Sequence, residues 1–235
     1  MPVVLDNNKL GAVGEYIKEN TQEGAIITIS SPIFTIYAFE ELRKVLEKSN
    51  KFRFLFNEPT FIKNIISNSK ELKEFELQMH QREKNISEFN LEIGLKNNLD
   101  QNQIASKCYL FIEEKGEIKS VVKSGSVSLS NILVENKNNS YLIQGNNIAF
   151  SKDGLGYTKE IRFDFNTVND DSEMIKQYLS FINQIFDNEE LVVDVKEELL
   201  KHLSNLYQET SPAEERKILC GRKHFEVLDT GVKYE

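Results

Sequence analysis

Between Gly24 and Pro59 the chain reads as strand, helix, strand, and this unit limits the fold more than any other stretch. Ala25-Ile-Ile-Thr-Ile-Ser30 is a β-branched run bounded by Gly24 and Pro32, which suits a buried strand. Ile36, Phe39, Leu42, Val45 and Leu46 then recur at helical spacing, while Glu40, Glu41, Arg43, Lys44 and Glu47 fill the other face. Phe52-Arg-Phe-Leu-Phe56 is a second strand, ended by Asn57 and Pro59. A crossover of this length predicts two parallel strands with a right-handed connection. The fold class expected is α/β.

The rest of the chain reads more coarsely. Val13 to Glu19 predicts a helix with a start loosened by Gly11 and Gly14. From Phe61 to Leu99 the sequence is polar and Lys/Glu-rich with broken helical periods, and Ile104 to Glu113 returns to a helix carrying Ala105, Cys108, Tyr109 and Ile112. Strands are expected at Glu117 to Val122, Val127 to Glu135, Ser140 to Gln144, Ile148 to Ser151 and Glu160 to Phe165. The Asn136-Lys-Asn-Asn139 turn joins two of them as a hairpin. Helices are expected at Glu173 to Phe186 and Val193 to Tyr207. Ser211-Pro212 marks a boundary, so residues 1–212 form one domain and 213–235 a small charged tail.

Composition narrows the class. The chain of 235 residues is 40% apolar and 28% charged, enough for a sizeable core. No apolar run approaches a membrane span, and the start lacks the layout of a signal peptide. Cys108 and Cys220 are the only cysteines, so neither a disulfide framework nor a Cys-rich zinc site is expected. The chain reads as cytosolic. Its 29 basic residues face 37 acidic ones, a net charge of −8, the reverse of a protein whose whole surface grips phosphate. A local basic groove remains compatible with that balance.

Several chemistries are missing by inspection. The phosphate-binding Gly-x-x-x-x-Gly-Lys-Ser/Thr, the dinucleotide Gly-x-Gly-x-x-Gly and the hydrolase Gly-x-Ser-x-Gly are all absent. Gly154-Leu-Gly156 reads as a turn. His80, His202 and His224 lie far apart, each read as a solvated or packed imidazole, and Cys108 falls on an apolar helix stripe as a buried thiol.

Several segments, taken in order, resemble one family. They are Asp6 to Asn20, Ile27 to Leu42, Phe52 to Thr60, Arg82-Glu-Lys84 through Cys108, Gln144 to Gly156, and Leu191 to Pro212. Together they resemble the phospholipase D-like domain found at the N-terminus of bacterial restriction-type and phage-defence helicases. The resemblance implies a mixed β-sheet sandwiched by helices, pairing of two copies about a two-fold axis, and a metal-free nucleophilic mechanism. In that family a His-x-Lys pair carries the chemistry, followed by an acidic residue and a Gly-Ser-x-x-Asn-type turn. The His attacks phosphorus, and the Lys and Asn stabilise the added charge.

Aligned on Ser126 to Glu135, Ser128 takes the nucleophile position, Ser130 the lysine position and Glu135 the acidic one. Asn146 and Asn147 replace the two serines after Gly145, and Ala149 falls near the family's Asn. Two positions after the three histidines stand Arg82, Ser204 and Glu226, so His-x-Lys occurs nowhere. A serine hydroxyl without a neighbouring base cannot replace an imidazole. The domain is therefore expected to be a catalytically degenerate, homodimeric phosphodiesterase fold without cofactor. It would serve as a scaffold or DNA-associated module beside a helicase or nuclease partner. Two other readings stay open: a nuclease using a carboxylate-bound metal or Arg222, Lys223 and His224 of the tail, and an oligomerisation protein without nucleic-acid contact. Ser128 and Ser130 are expected in a shallow, mostly neutral cleft near Asn146 and Asn147.

Overall fold

The computed structural model describes residues 3–61, 91–158 and 164–208. An eight-stranded mixed sheet runs through the described part in the order β1-β7-β6-β5-β2-β3-β4-β8. The strands are β1 (Val3–Leu5), β2 (Ile26–Ser31), β3 (Lys51–Phe56), β4 (Gly116–Val121), β5 (Asn131–Glu135), β6 (Tyr141–Gly145), β7 (Asn166–Asn169) and β8 (Val192–Asp194). Helices α1 (Val13–Asn20), α2 (Ile36–Leu46), α3 (Leu91–Lys115), α4 (Ser172–Phe186) and α5 (Lys196–Gln208) complete it.

The expected unit at the centre is present. β2 and β3 pair in parallel, Ile26 opposite Lys51 through Ser31 opposite Phe56, and β3 continues in parallel with β4. Alternation along β3 separates two cores, because successive strand side chains leave opposite faces. Phe52, Phe54 and Phe56 pack with residues of α1, α2, α3 and α5, while Leu55 packs with Ile182, Ile185 and Phe186 of α4. The molecule is thus a sheet between two helical layers. Phe34, Phe54 and Phe150 close the larger core, with Phe34 5.2 Å from Phe54 and 5.1 Å from Phe150 between ring centroids. Two helices start on side-chain caps: Thr35 Oγ1 accepts from Ala38 N at 3.1 Å, and Asp171 Oδ1 from Met174 N at 2.8 Å.

The Asn136–Asn139 turn does join an antiparallel pair, with Val134 opposite Tyr141. Other expectations need correcting. Extended pairing begins at Asn131, not Val127, because Ser128 to Ser130 pass over the end of the sheet before the chain enters it. Ile148 to Ser151 is no strand; Phe150 makes one isolated parallel bridge to Phe34 and turns its ring into the core. Of Glu160 to Phe165, residues 160–163 lie outside the described residues and 164–165 are not in a strand; the strand is Asn166–Asn169. The last helix starts at Lys196 because Val192–Asp194 pair antiparallel with Val121–Lys119 as an edge strand. The boundary at 212 and the 213–235 tail lie outside the described residues.

Candidate functional site

The parallel strands β2, β3 and β4 end together, and in open α/β sheets that end is where ligands are held. Asn131 pairs with Gln144, which sets Ser130 opposite Gly145 and brings the Ser128 to Ser130 segment to the same end as Asn146 and Asn147. Ser128, Asn146 and Asn147 are exposed there and Ser130 is half-buried. Four of the five motif positions therefore lie at one end of the sheet, its mouth.

Several groups at that end are hydrogen-bonded to one another, although Asn57 Oδ1 is buried without a partner among the described residues. Asn57, just past β3, donates through Nδ2 to the Leu129 carbonyl and, at 3.3 Å, to Ser130 Oγ. Ser30 Oγ on β2 donates to the same Leu129 carbonyl at 3.0 Å. Ser120 Oγ accepts from Thr60 N at 2.9 Å, and Ser124 Oγ donates to Glu58 Oε2 at 2.6 Å. Among the described residues no Lys or Arg is hydrogen-bonded to Ser128, Ser130, Asn146 or Asn147. Nor does any group of three or more His, Cys, Asp or Glu side chains stand where it could hold a metal ion. Hydroxyls and carboxamides in this arrangement can hydrogen-bond a ligand. Among the described residues none of Ser128, Ser130, Asn146 and Asn147 is hydrogen-bonded to an imidazole or an amine that could act as its base, while Ser124 donates to the Glu58 carboxylate.

Asn147 has a second engagement that no motif signals. Its Nδ2 donates to Asp164 Oδ1 at 2.8 Å, and Asn7 Nδ2 donates to Asp164 Oδ2 at 2.8 Å. Asp164 is only 7% exposed, so two carboxamides donate to a largely buried carboxylate just ahead of β7. Asn7 also accepts from Val13 N, the first N–H of α1, at 3.0 Å. To do both it takes the left-handed backbone, φ 55°, which Asn tolerates better than most residues. Gly156 closes the other side at φ +85°, where a Cβ would meet Asn7 Oδ1 at 2.5 Å. Gly154-Leu-Gly156 is accordingly a turn, as its sequence predicts. Asn7 and Asp164 were missing from the sequence reading because no spacing links positions 157 residues apart.

Glu135 does not join the mouth. It stands at the far end of β5, about 16 Å of extended chain from Ser130. There it enters a charged layer beneath α4. Arg53 Nε lies 3.3 Å from Glu117 Oε2, Lys51 Nζ lies 2.6 Å from the same oxygen, and Arg53 donates to Asn183 Oδ1 at 2.7 Å. The guanidinium also covers the Phe186 ring at 4.0 Å, and Lys119 donates to the Phe186 carbonyl. Helix α4 has no basic residue in its own last turn, so the sheet provides the cations for its negative end.

The two glutamates of this layer titrate in opposite senses. Burial raises the Glu135 pKa, and Arg53 and Lys51 offset only part of that. For Glu117 burial also raises the pKa, but the Lys51 hydrogen bond and the Arg53, Lys51 and Lys119 charges outweigh it and leave the carboxyl lowered. A raised carboxyl contributes fully below its unfolded pKa of about 4.3 and loses that contribution as pH rises through the folded value; a lowered one contributes above about 4.3 and loses it as pH falls. Glu135→Gln is therefore expected to raise the urea midpoint at pH 7 and Glu117→Gln to lower it. The Glu117→Gln deficit should shrink as the pH drops below about 4. A Glu135→Gln chain less stable than the parent at pH 7 would show that the neighbouring cations outweigh burial.

The remaining histidine within the described residues, His202, sits on α5, half-buried, with its ring 6.2 Å from that of Phe61. Cys108 is fully buried, as its stripe predicts, and burial pushes its thiol pKa well above the ordinary value. His80, His224, Arg222, Lys223 and Cys220 lie outside the described residues. No helix among the described residues is long and apolar enough to cross a membrane.

No known protein family matches this sequence, and no curated protein does. Among solved structures, the chain is similar to a crystal structure of phosphatidylserine synthase from Haemophilus influenzae Rd KW20. That likeness has a TM-score of 0.41 and 10% sequence identity, over 93% of this chain. This chain spans 46% of the length of that one.

Proposed function

We propose that the chain is a catalytically degenerate phospholipase D-like domain acting as a scaffold or nucleic-acid-associated module of a restriction or phage-defence system. The observation that carries this reading is the mouth itself. Aligned on the family's pattern, Ser128 and Ser130 take the places of its imidazole and ammonium, and Asn57 Nδ2 donates to Ser130 Oγ and to the Leu129 carbonyl beside it. A phosphoryl group arriving there would meet no cation fixed on these residues, so nothing would offset the charge of a five-coordinate phosphorus. An intact sheet without its reacting groups suits binding or assembly. A homodimer and a helicase or nuclease partner belong to the same reading.

The test is cleavage of single- and double-stranded DNA and RNA by the full chain, in parallel with magnesium, with manganese and with EDTA. No cleavage is expected in any arm. Cleavage that survives EDTA would overturn the degenerate reading, and metal-dependent cleavage would favour a carboxylate site or the Arg222, Lys223 and His224 segment. The reading as a plain oligomerisation protein rests on the net charge of −8. It gains if the chain neither cleaves nor binds nucleic acid.

A further inference from the structure

Two hollows lie away from the mouth. One, of about 490 Å³, opens between the end of α1 and the outer side of α2. The other, of about 610 Å³, lies beyond the end of α2, beside the amino ends of the parallel strands. Glu23 and Lys48 line both, so the two run together as one groove. Lys18, Arg43, Lys44 and Lys48 line its first half, and Lys48, Lys115 and Lys137 its second. The carboxylates of Glu23, Glu40, Glu41 and Glu47 line it too, but two of these are neutralised in place. Arg43 Nε lies 3.1 Å from Glu40 Oε2, and Lys152 Nζ lies 3.1 Å from Glu41 Oε1.

Lys18 is in turn paired with Glu15 at 3.0 Å and Arg43 with Glu40, so among the described residues Lys44, Lys48 and Lys137 stand unpaired against Glu23 and Glu47, a local excess of positive charge on a chain whose net charge is −8. The carbonyl end of α2 points here and would repel an anion if left bare. It is closed off: Lys115 Nζ donates to the Glu47 carbonyl and, at 2.9 Å, to the Ser49 carbonyl. Lys44, Lys48 and Lys137 are exposed and form no ion pair among the described residues. Long, flexible ammonium groups of this kind act as point charges on phosphates rather than as readers of bases. Among the described residues no aromatic ring lines the groove, so they offer no platform on which to stack a base.

From this placement we infer that the groove beside the end of α2 holds the phosphodiester backbone of a single-stranded nucleic acid, without regard to sequence. The inference rests on the proposed association with nucleic acid and moves the contact to the end of the sheet opposite the degenerate motif. Readout of a duplex calls for an element that projects into its groove.

The test is fluorescence anisotropy of labelled oligothymidylate and of a labelled mixed-sequence strand, titrated with the full chain between about 50 and 200 mM salt. The parent should bind both alike and lose affinity as salt rises. The variant Lys44→Glu/Lys48→Glu/Lys137→Glu changes only exposed side chains, and its thermal melt by circular dichroism should match the parent's. Its affinity should fall by about tenfold or more, and its salt slope should become shallower by about 2, from roughly 0.7 per lost phosphate contact. Lys123→Glu/Lys176→Glu, exposed elsewhere, separates this loss from the general effect of added negative charge and should retain most of the affinity.

Binding that survives the triple reversal overturns the groove and leaves the nucleic-acid reading intact. Absence of binding by the parent at about 50 mM salt overturns both. Equal losses in the two variants mean that net charge alone is responsible and also overturn the groove. So does groove-dependent binding of phosphatidylserine vesicles by a chain that ignores the oligonucleotides.

Discussion

Replacing Arg53 with methionine is expected to destabilise the chain by about 3–5 kcal/mol, the usual cost of removing one partner from a buried ion pair. The guanidinium is 8% exposed and serves three neighbours at once. It lies 3.3 Å from Glu117, donates to Asn183 at 2.7 Å and covers the Phe186 ring at 4.0 Å. Methionine keeps the apolar stem over Phe186 but leaves Glu117 with only Lys51 and the charge of Lys119, and it leaves Glu135 half-buried with less positive charge nearby. The last turn of α4 also loses a cation. The urea midpoint should fall with the m-value unchanged. The triple variant Arg53→Met/Glu117→Met/Glu135→Leu removes all three charges together and should recover most of the loss, because what costs energy is the uncompensated charge. A triple variant no more stable than Arg53→Met would show that shape complementarity beneath α4, not charge balance, dominates.

The second large effect is expected at Asn7. Asn7→Ala removes the acceptor for Val13 N at the start of α1 and the donor to Asp164 Oδ2 in one step. A lost cap costs about 1 kcal/mol, and an acceptor left unsatisfied on a buried carboxylate costs about 1–3 kcal/mol or more. Together these predict a loss of about 2–4 kcal/mol, read as a fall in the urea midpoint. Asn147→Ala should cost less, about 1–2 kcal/mol, since Asn147 itself is exposed and water can replace its amide. The two losses should not add, because both amides serve one carboxylate. Asn147 occupies a position where the phospholipase D-like pattern places a serine. A ligand-binding role there predicts unchanged stability for Asn147→Ala, and a structural clamp predicts the loss. If the midpoint of Asn147→Ala matches the parent's, the clamp contributes nothing.

How much of this was legible beforehand follows from how far apart in sequence the causes lie. The β2-α2-β3 unit was readable because its apolar pattern is local. Ile27, Ile29, Phe52 and Phe54 face one core because strands alternate, and Phe39, Leu42 and Leu46 face it because helices turn every 3.6 residues. The 136–139 turn was local in the same sense. β1, β7 and β8 have three or four residues each, too short for a period to register, and they exist because a longer neighbour offers free backbone groups.

At the site the same division holds. The family pattern set Ser128 and Ser130 near Asn146 and Asn147, and the β5–β6 hairpin with its four-residue turn brings those segments to one end. The sequence also established the absence of any His-x-Lys pair, which no folding can restore. Only the tertiary structure decided that Glu135 leaves the mouth for the Arg53 layer and that Asn147 turns to Asp164. It alone gathered Lys18, Lys48, Lys115 and Lys137 from four separate segments into one groove. Those placements depend on strand order and on which groups lose water together. The energy of a charge is set by what surrounds it in space, and no spacing along the chain encodes that.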